Sequence, residues 1–89
     1  MKNSAVTIVN KLGLHTRAAA KLVATAQRYE SKIQLVRNDH TVDAKSIMGV
    51  ITLGATKGTT LSLITDGYDE EQAFTAISAL IDNRFGEEE

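Results

Sequence analysis

The apolar residues of this chain recur at two periods, and the order in which those periods alternate limits the folds open to it. Ser4 to Val9 alternates, with Val6 and Ile8 on one face and Thr7 on the other, the period of a half-buried strand. From Thr16 to Tyr29 the spacing becomes helical: Ala18, Ala19, Leu22, Val23, Ala26 and Tyr29 share a face, while Lys21, Thr25 and Arg28 fall elsewhere. Alternation returns over Lys32 to Val36 through Ile33 and Leu35, and Asn38-Asp39 turn chemistry leads into a short strand over Thr41 to Asp43. Ser46 then stands as an N-cap before Ile47, Met48, Val50 and Ile51, a two-turn helix closing at Gly54. Gly49 inside it costs about 1 kcal/mol relative to alanine. Beyond the Gly58 turn, Leu61 and Leu63 face inward from a fourth strand. After Asp66-Gly67, Asp69 with Gln72 three residues later predicts a capping-box-like start to a helix carrying Ala73, Ile77, Leu80, Ile81 and Arg84. The predicted order is strand, helix, strand, strand, short helix, strand, helix. One-faced strands and two long amphipathic helices are satisfied together by an antiparallel sheet with helices on one side, an α+β open-faced sandwich.

At 89 residues and 43% hydrophobic content the chain is expected to form a single domain, residues 1–89, around one core. It has no cysteine, which removes disulfides and thiolate metal sites and suits a reducing compartment. The start, "MKNSAVTIVNKLG", holds one early lysine and a short apolar run broken by Thr7 and Asn10, neither a secretory core nor a membrane span. A cytoplasmic location and no membrane insertion are the expectation. A net charge of -1, two tyrosines, two phenylalanines and no tryptophan argue against a nucleic-acid binder, which needs a basic excess or aromatic platforms. There is no proline to mark a linker, and Glu87, Glu88 and Glu89 read as a solvated, frayed tail.

The chemistry concentrates in "NKLGLHTRAAAKLV", residues 10 to 23. If the first long helix starts at His15 or Thr16, with either as N-cap, the backbone N–H groups of Arg17, Ala18 and, with the later start, Ala19 lack partners and form an anion site. The helix dipole disfavours a cationic imidazole at this end, which keeps His15 nucleophilic, and Arg17 can face an anion with its planar fork of donors. Gly13 lets the chain turn tightly out of the first strand and keeps bulk away from the imidazole. Free N–H groups plus one arginine supply the positioning and charge stabilisation that a transferring phosphoryl group demands. By spacing alone, His15 also fits a cap or a surface residue, and Arg17 a solvated charge.

"GLHTRAAA", Gly13 to Ala20, followed about thirty residues on by "KSIMGVITLG", Lys45 to Gly54, resembles the histidine-containing phosphocarrier protein (HPr) family of the phosphoenolpyruvate-dependent phosphotransferase system. The resemblance covers essentially the whole chain. It implies a four-stranded antiparallel sheet of order 1-4-2-3, covered on one face by three helices. It further implies that His15 is phosphorylated at Nδ1 by an enzyme I and passes the group to a histidine of an enzyme IIA, with Arg17 as charge partner and no cofactor. Such a carrier is a substrate of other enzymes rather than a turnover enzyme. Many members have proline after the arginine; Ala18 here restores a backbone N–H in the first turn. Sugar-branch carriers often bring lysines to the partner-facing surface, where this chain has Ala24, Gln27 and Gly49. The "RAAAKLV" form and the acidic ending "IDNRFGEEE" are instead similar to NPr of the nitrogen-related branch, with the sugar branch as the alternative.

In part of the family the serine matching Ser46 is phosphorylated by a kinase, while the same serine is also a preferred N-cap, and both roles can hold together. Ala20, Ile47, Met48 and Ile51 are the candidate docking residues; Ile47 and Met48 are expected to stay partly exposed near His15, against the simpler reading of "IMGVI" as core. His40 reads as an exposed turn residue, and two distant histidines with scattered carboxylates give no metal site. A monomer is the simplest expectation for a carrier that shows one site to successive partners. Two other classes remain beside the carrier: a regulatory interaction module whose phosphorylation is only a signal, which needs no onward transfer, and a small-molecule-binding domain, which needs a roomy polar pocket.

Overall fold

The computed structural model describes residues 1–89. Its elements are β1 (Lys2–Thr7), α1 (Thr16–Ala26), β2 (Lys32–Arg37), β3 (His40–Asp43), α2 (Ile47–Thr52), β4 (Thr60–Asp66) and α3 (Glu70–Asp82), followed by a 3-10 turn over Arg84–Gly86. The strands form one antiparallel sheet of order β1-β4-β2-β3. The open-faced α+β sandwich expected from the sequence, and the strand order implied by the family resemblance, are thus those of the protein.

Alternation decides which face of the sheet is covered. Leu61, Leu63 and Thr65 of β4 are buried, as are Ile33 and Leu35 of β2, whereas Ser62, Ile64, Gln34 and Val36 between them stay half-exposed on the open face. The buried leucines and isoleucine of this set join Ala18, Ala19, Leu22, Val23 and Ala26 of α1 and Ala73, Ile77 and Ile81 of α3 in one cluster of 21 residues. Alanine at three fully buried α1 positions has no long side chain to hold the helix off the sheet.

Five local readings change. β1 spans Lys2–Thr7 rather than Ser4 to Val9. Ile8 is still fully buried, but its N–H bonds Thr59 O at 2.9 Å and its carbonyl accepts from Gly58 N at 2.7 Å, so beyond Thr7 the chain pairs with the loop before β4. α1 stops at Ala26, after which Arg28 and Tyr29 donate to the carbonyls three residues back; Tyr29 packs against the core from this turn. Asp69 is the N-cap of α3, yet no capping box forms. Its carboxylate is drawn across the structure, accepting from Glu30 N, Ser31 N and the Ser31 hydroxyl, and so ties the end of the α1–β2 loop to the start of α3. Arg84 lies beyond α3, and His40 opens β3, exposed as predicted, with Nε2 3.1 Å from Thr52 Oγ1. Ser46 caps α2 as predicted, its Oγ accepting from Gly49 N at 3.1 Å. No helix is long and apolar enough to cross a membrane.

Candidate functional site

The segment between β1 and α1 is fixed at three points before it reaches the imidazole. Gly13 N donates to Asn10 O, Leu14 N donates to Ala55 O at 2.9 Å, and the Leu14 side chain is buried in the core. Gly13 takes φ +68 because a Cβ there would lie 2.5 Å from Ala55 O and 2.9 Å from Thr56 Cα. The positive φ fits the tight turn expected of this glycine, and the close approach it allows is to the loop after α2.

His15 follows in extended conformation as the N-cap of α1, its side chain making no cap hydrogen bond; its carbonyl accepts from Ala19 N at 2.8 Å, so the Ala19 N–H expected to be free is spent on the helix's first bond. The N–H groups of Thr16, Arg17 and Ala18 are left without an acceptor in the chain, at the positive end of an eleven-residue helix with no acidic residue in its first turn. The imidazole is 28% exposed. Arg17 is exposed beside it, free of any ion pair within the chain. Together with Leu12, Thr16, Ala20 and Glu87 these two side chains line an open cleft of about 790 Å³. Leu12, 65% exposed, is a cleft residue that the sequence reading did not single out.

The larger omission is the C-terminal segment, which is not a frayed tail. Phe85 is 1% exposed and plugged into the core, and Lys21 Nζ donates to its carbonyl at 2.7 Å. Arg84, Phe85 and Gly86 all have positive φ, so the chain turns back sharply after α3. That turn lays Glu87 over the helix start, with Oε2 2.5 Å from His15 Nε2 and Oε1 3.0 Å from Asn10 Nδ2. Further along, Lys11 N donates to Glu89 O and Lys11 Nζ pairs with the Glu89 carboxylate at 3.3 Å. The Asn10 amide, and then His15, hold the Glu87 carboxyl below the ordinary carboxylate range, against the opposing effect of its burial. One signal was available in the sequence: an aromatic followed by glycine just past a helical pattern, an anchor and a left-handed turn.

Ser46 and the predicted residues of α2 fall outside the cleft. Ile47 is 41% and Met48 69% exposed, as expected, and Ile51 is half-buried against the core. They sit with exposed Ser46 on α2, which packs on α1, and Ala20 is the docking candidate that lies in the cleft itself. No group of three or more histidine, cysteine or carboxylate side chains is placed to hold a metal ion.

The open-faced α+β sandwich thus presents an imidazole, a free guanidinium and unpaired helix N–H groups in one cleft. Comparison with known proteins identifies the family. Residues 2–83 match the family model described as the PTS HPr component phosphorylation site. The phosphocarrier protein HPr of Cupriavidus necator is 57% identical over 83 residues, 93% of each chain. HPr-C-His of Thermoanaerobacter tengcongensis has a similar structure, with a TM-score of 0.96 and 44% identity over the whole of both chains. The chain therefore belongs to the HPr family of phosphotransferase-system phosphocarriers. An HPr dimer from Thermoanaerobacter tengcongensis, at 44% identity and TM-score 0.79, covers 98% of this chain and 100% of its own. Dimers thus occur among the relatives, and the monomer expected from the sequence gains no support from them. The relatives' names carry no branch of the system, so the nitrogen-related assignment gains none either.

Proposed function

We propose that residues 1–89 act as one cytoplasmic phosphocarrier domain in which His15 accepts a phosphoryl group from the phosphohistidine of an enzyme I-type donor and gives it to a histidine of an enzyme IIA. The observation that carries this reading is the placement of the half-exposed His15 ring beside three unpartnered N–H groups of α1, with Arg17 free in the same cleft. A phosphoryl group in transit carries its charge on three peripheral oxygens, and preorganised donors aimed at them cost no reorganisation when it arrives. The Arg17 and Ala18 N–H groups supply fixed donors, and the Arg17 side chain a mobile, planar one. No metal or cofactor is called for on this chain.

Partner docking is assigned to Ala20 in the cleft and to Ile47, Met48 and Ile51 on α2. Exposed apolar side chains of this kind, rimmed by polar ones, suit a transient protein contact. Ser46 serves as the N-cap of α2; a kinase that phosphorylated it would set two negative charges beside Ile47 and weaken docking. Within the system, Ala18 and the acidic ending favour the nitrogen-related branch over sugar uptake, and a monomer is the working state.

The test is to supply phosphoenolpyruvate, Mg²⁺, an enzyme I of either branch and an enzyme IIA. The wild-type chain should take up an acid-labile phosphoryl group and lose it to the IIA, whereas His15→Ala should take up none. Arg17→Ala should slow uptake by about 10–100-fold with the fold intact, the range of a lost charge-assisted hydrogen bond. Uptake without onward transfer would make the chain a regulatory module instead. The faster of the two donors identifies the branch.

A further inference from the structure

We propose that Glu87 is a positioning residue for phosphoryl transfer, selecting which nitrogen of His15 is nucleophilic; this rests on the carrier reading above. A carboxylate only accepts hydrogen bonds, so Glu87 Oε2, 2.5 Å from His15 Nε2, requires the ring proton on Nε2 and leaves the lone pair of the neutral ring on Nδ1. Its depressed pKa keeps Glu87 in that accepting form at neutral pH.

The carboxylate is itself oriented. Asn10 is fully buried, and its Nδ2 lies 2.8 Å from Gly13 O and 3.0 Å from Glu87 Oε1. Both neighbours are acceptors, which fixes the amide with its nitrogen toward them. Asn10 therefore holds one carboxylate oxygen and leaves the other for the imidazole, while buried Phe85, the Lys21 bond to its carbonyl and the left-handed turn hold the backbone in place. The family model stops at residue 83, so this strap lies outside the residues it matches.

The transfer balances without a base. The Nδ1 lone pair attacks the phosphorus of the donor's phosphohistidine, the donor N–P bond breaks with its electron pair returning to the donor ring, and the new bond forms at Nδ1. The proton on Nε2 stays, and the ring, now cationic, faces the Glu87 carboxylate as counter-charge. Onward transfer reverses each change. Without Glu87 the neutral ring divides between two tautomers, one of which has no lone pair on Nδ1.

Two variants separate this role from a structural one. Glu87→Ala removes the acceptor. Glu87→Gln does more, because Asn10 Nδ2 still demands an acceptor: the glutamine carbonyl takes that place and its NH₂ faces His15 Nε2 as a donor, driving the proton to Nδ1. Long-range ¹H–¹⁵N spectra of the unphosphorylated protein should show Nε2 protonated in the wild type, a mixture in Glu87→Ala and Nδ1 protonated in Glu87→Gln. Phosphorylation by enzyme I should then slow in that order, with Glu87→Gln about tenfold below wild type, the scale of one hydrogen bond's tautomer bias. Loss of tail packing alone predicts the opposite ranking, since glutamine fills the glutamate site better than alanine. Equal tautomers and equal rates across the three proteins overturn the proposal while leaving the carrier reading intact. A wild-type His15 that accepts no phosphoryl group overturns both.

Discussion

Replacing Gly13 by alanine probes the junction on which the site is built, and its cost can be worked from two separate contributions. The first is conformational: at φ +68 a Cβ meets the neighbouring carbonyl, at about 1–2 kcal/mol for a left-handed non-glycine residue. The second is crowding, because the added methyl falls 2.5 Å from Ala55 O and 2.9 Å from Thr56 Cα, both backbone atoms that no side-chain rotation relieves. Overpacking that forces backbone to shift costs about 1–3 kcal/mol. The sum, about 2–5 kcal/mol, corresponds to a fall in Tm of about 10–30 °C for a domain of this size. Moving Ala55 also disturbs the Leu14 N–Ala55 O bond that sets the entry of His15, so phosphorylation should slow in the fraction that remains folded. Gly54→Ala is the matched control, with φ +59 and only the Arg37 Nη1 tip, at 3.5 Å, near its added methyl. It bears the conformational cost without the crowding, and denaturant unfolding should place it about 1–3 kcal/mol above Gly13→Ala. Equal stability of the two variants would refute the assignment of Gly13 to close packing against the loop after α2.

Other perturbations reach the cap, the tie and the docking surface. Ser46→Ala removes the acceptor of Gly49 N and should cost about 1 kcal/mol, read as a Tm fall of roughly 4–8 °C. The Ser31 hydroxyl, and then the Glu30 and Ser31 N–H groups, hold the Asp69 carboxyl below its ordinary value of 3.8. A depressed folded-state value means that Asp69 contributes its stability in full above pH 3.8 and loses it as the pH falls through the lower folded value. Asp69→Asn should accordingly unfold at lower denaturant than wild type near neutral pH, with the gap narrowing as the pH falls below 3.8. Met48→Asp, on a 69% exposed side chain, should leave Tm within about 3 °C and raise the KM of enzyme I for the carrier about tenfold; an unchanged KM removes Met48 from the docking surface.

Much of the fold was legible because burial here follows period closely. The inward alternation of Leu61 and Leu63, the helical recurrence from Ala18 to Ala26, and Ser46 before an apolar turn each have a local cause in sequence. Strand order does not: placing β4 between β1 and β2 depends on which edges meet, and it came from the resemblance to HPr rather than from any pattern of residues. At two places a distant partner replaced a local one. Ile8 left the β1 ladder for Thr59 and Gly58, and Asp69 gave up its capping box for the Ser31 turn. The same physics explains the partial reading of the site. His15 and Arg17 stand in one short motif, whereas the carboxylate on the imidazole comes from 72 residues away. Three glutamates at a chain end look like solvated charge until Phe85 is seen to be buried beneath them.

The central claim is that His15, and no other side chain, carries the phosphoryl group. The most direct measurement is ³¹P-edited NMR of the protein phosphorylated by phosphoenolpyruvate and enzyme I, with wild type, His15→Ala and His40→Ala compared. His40, exposed at the start of β3 against Thr52, has no helix N-terminus beside it and serves as the internal control. One phosphorylated nitrogen, Nδ1 of His15, is expected in wild type and in His40→Ala, and no signal in His15→Ala. A phosphoryl signal that persists in His15→Ala contradicts it.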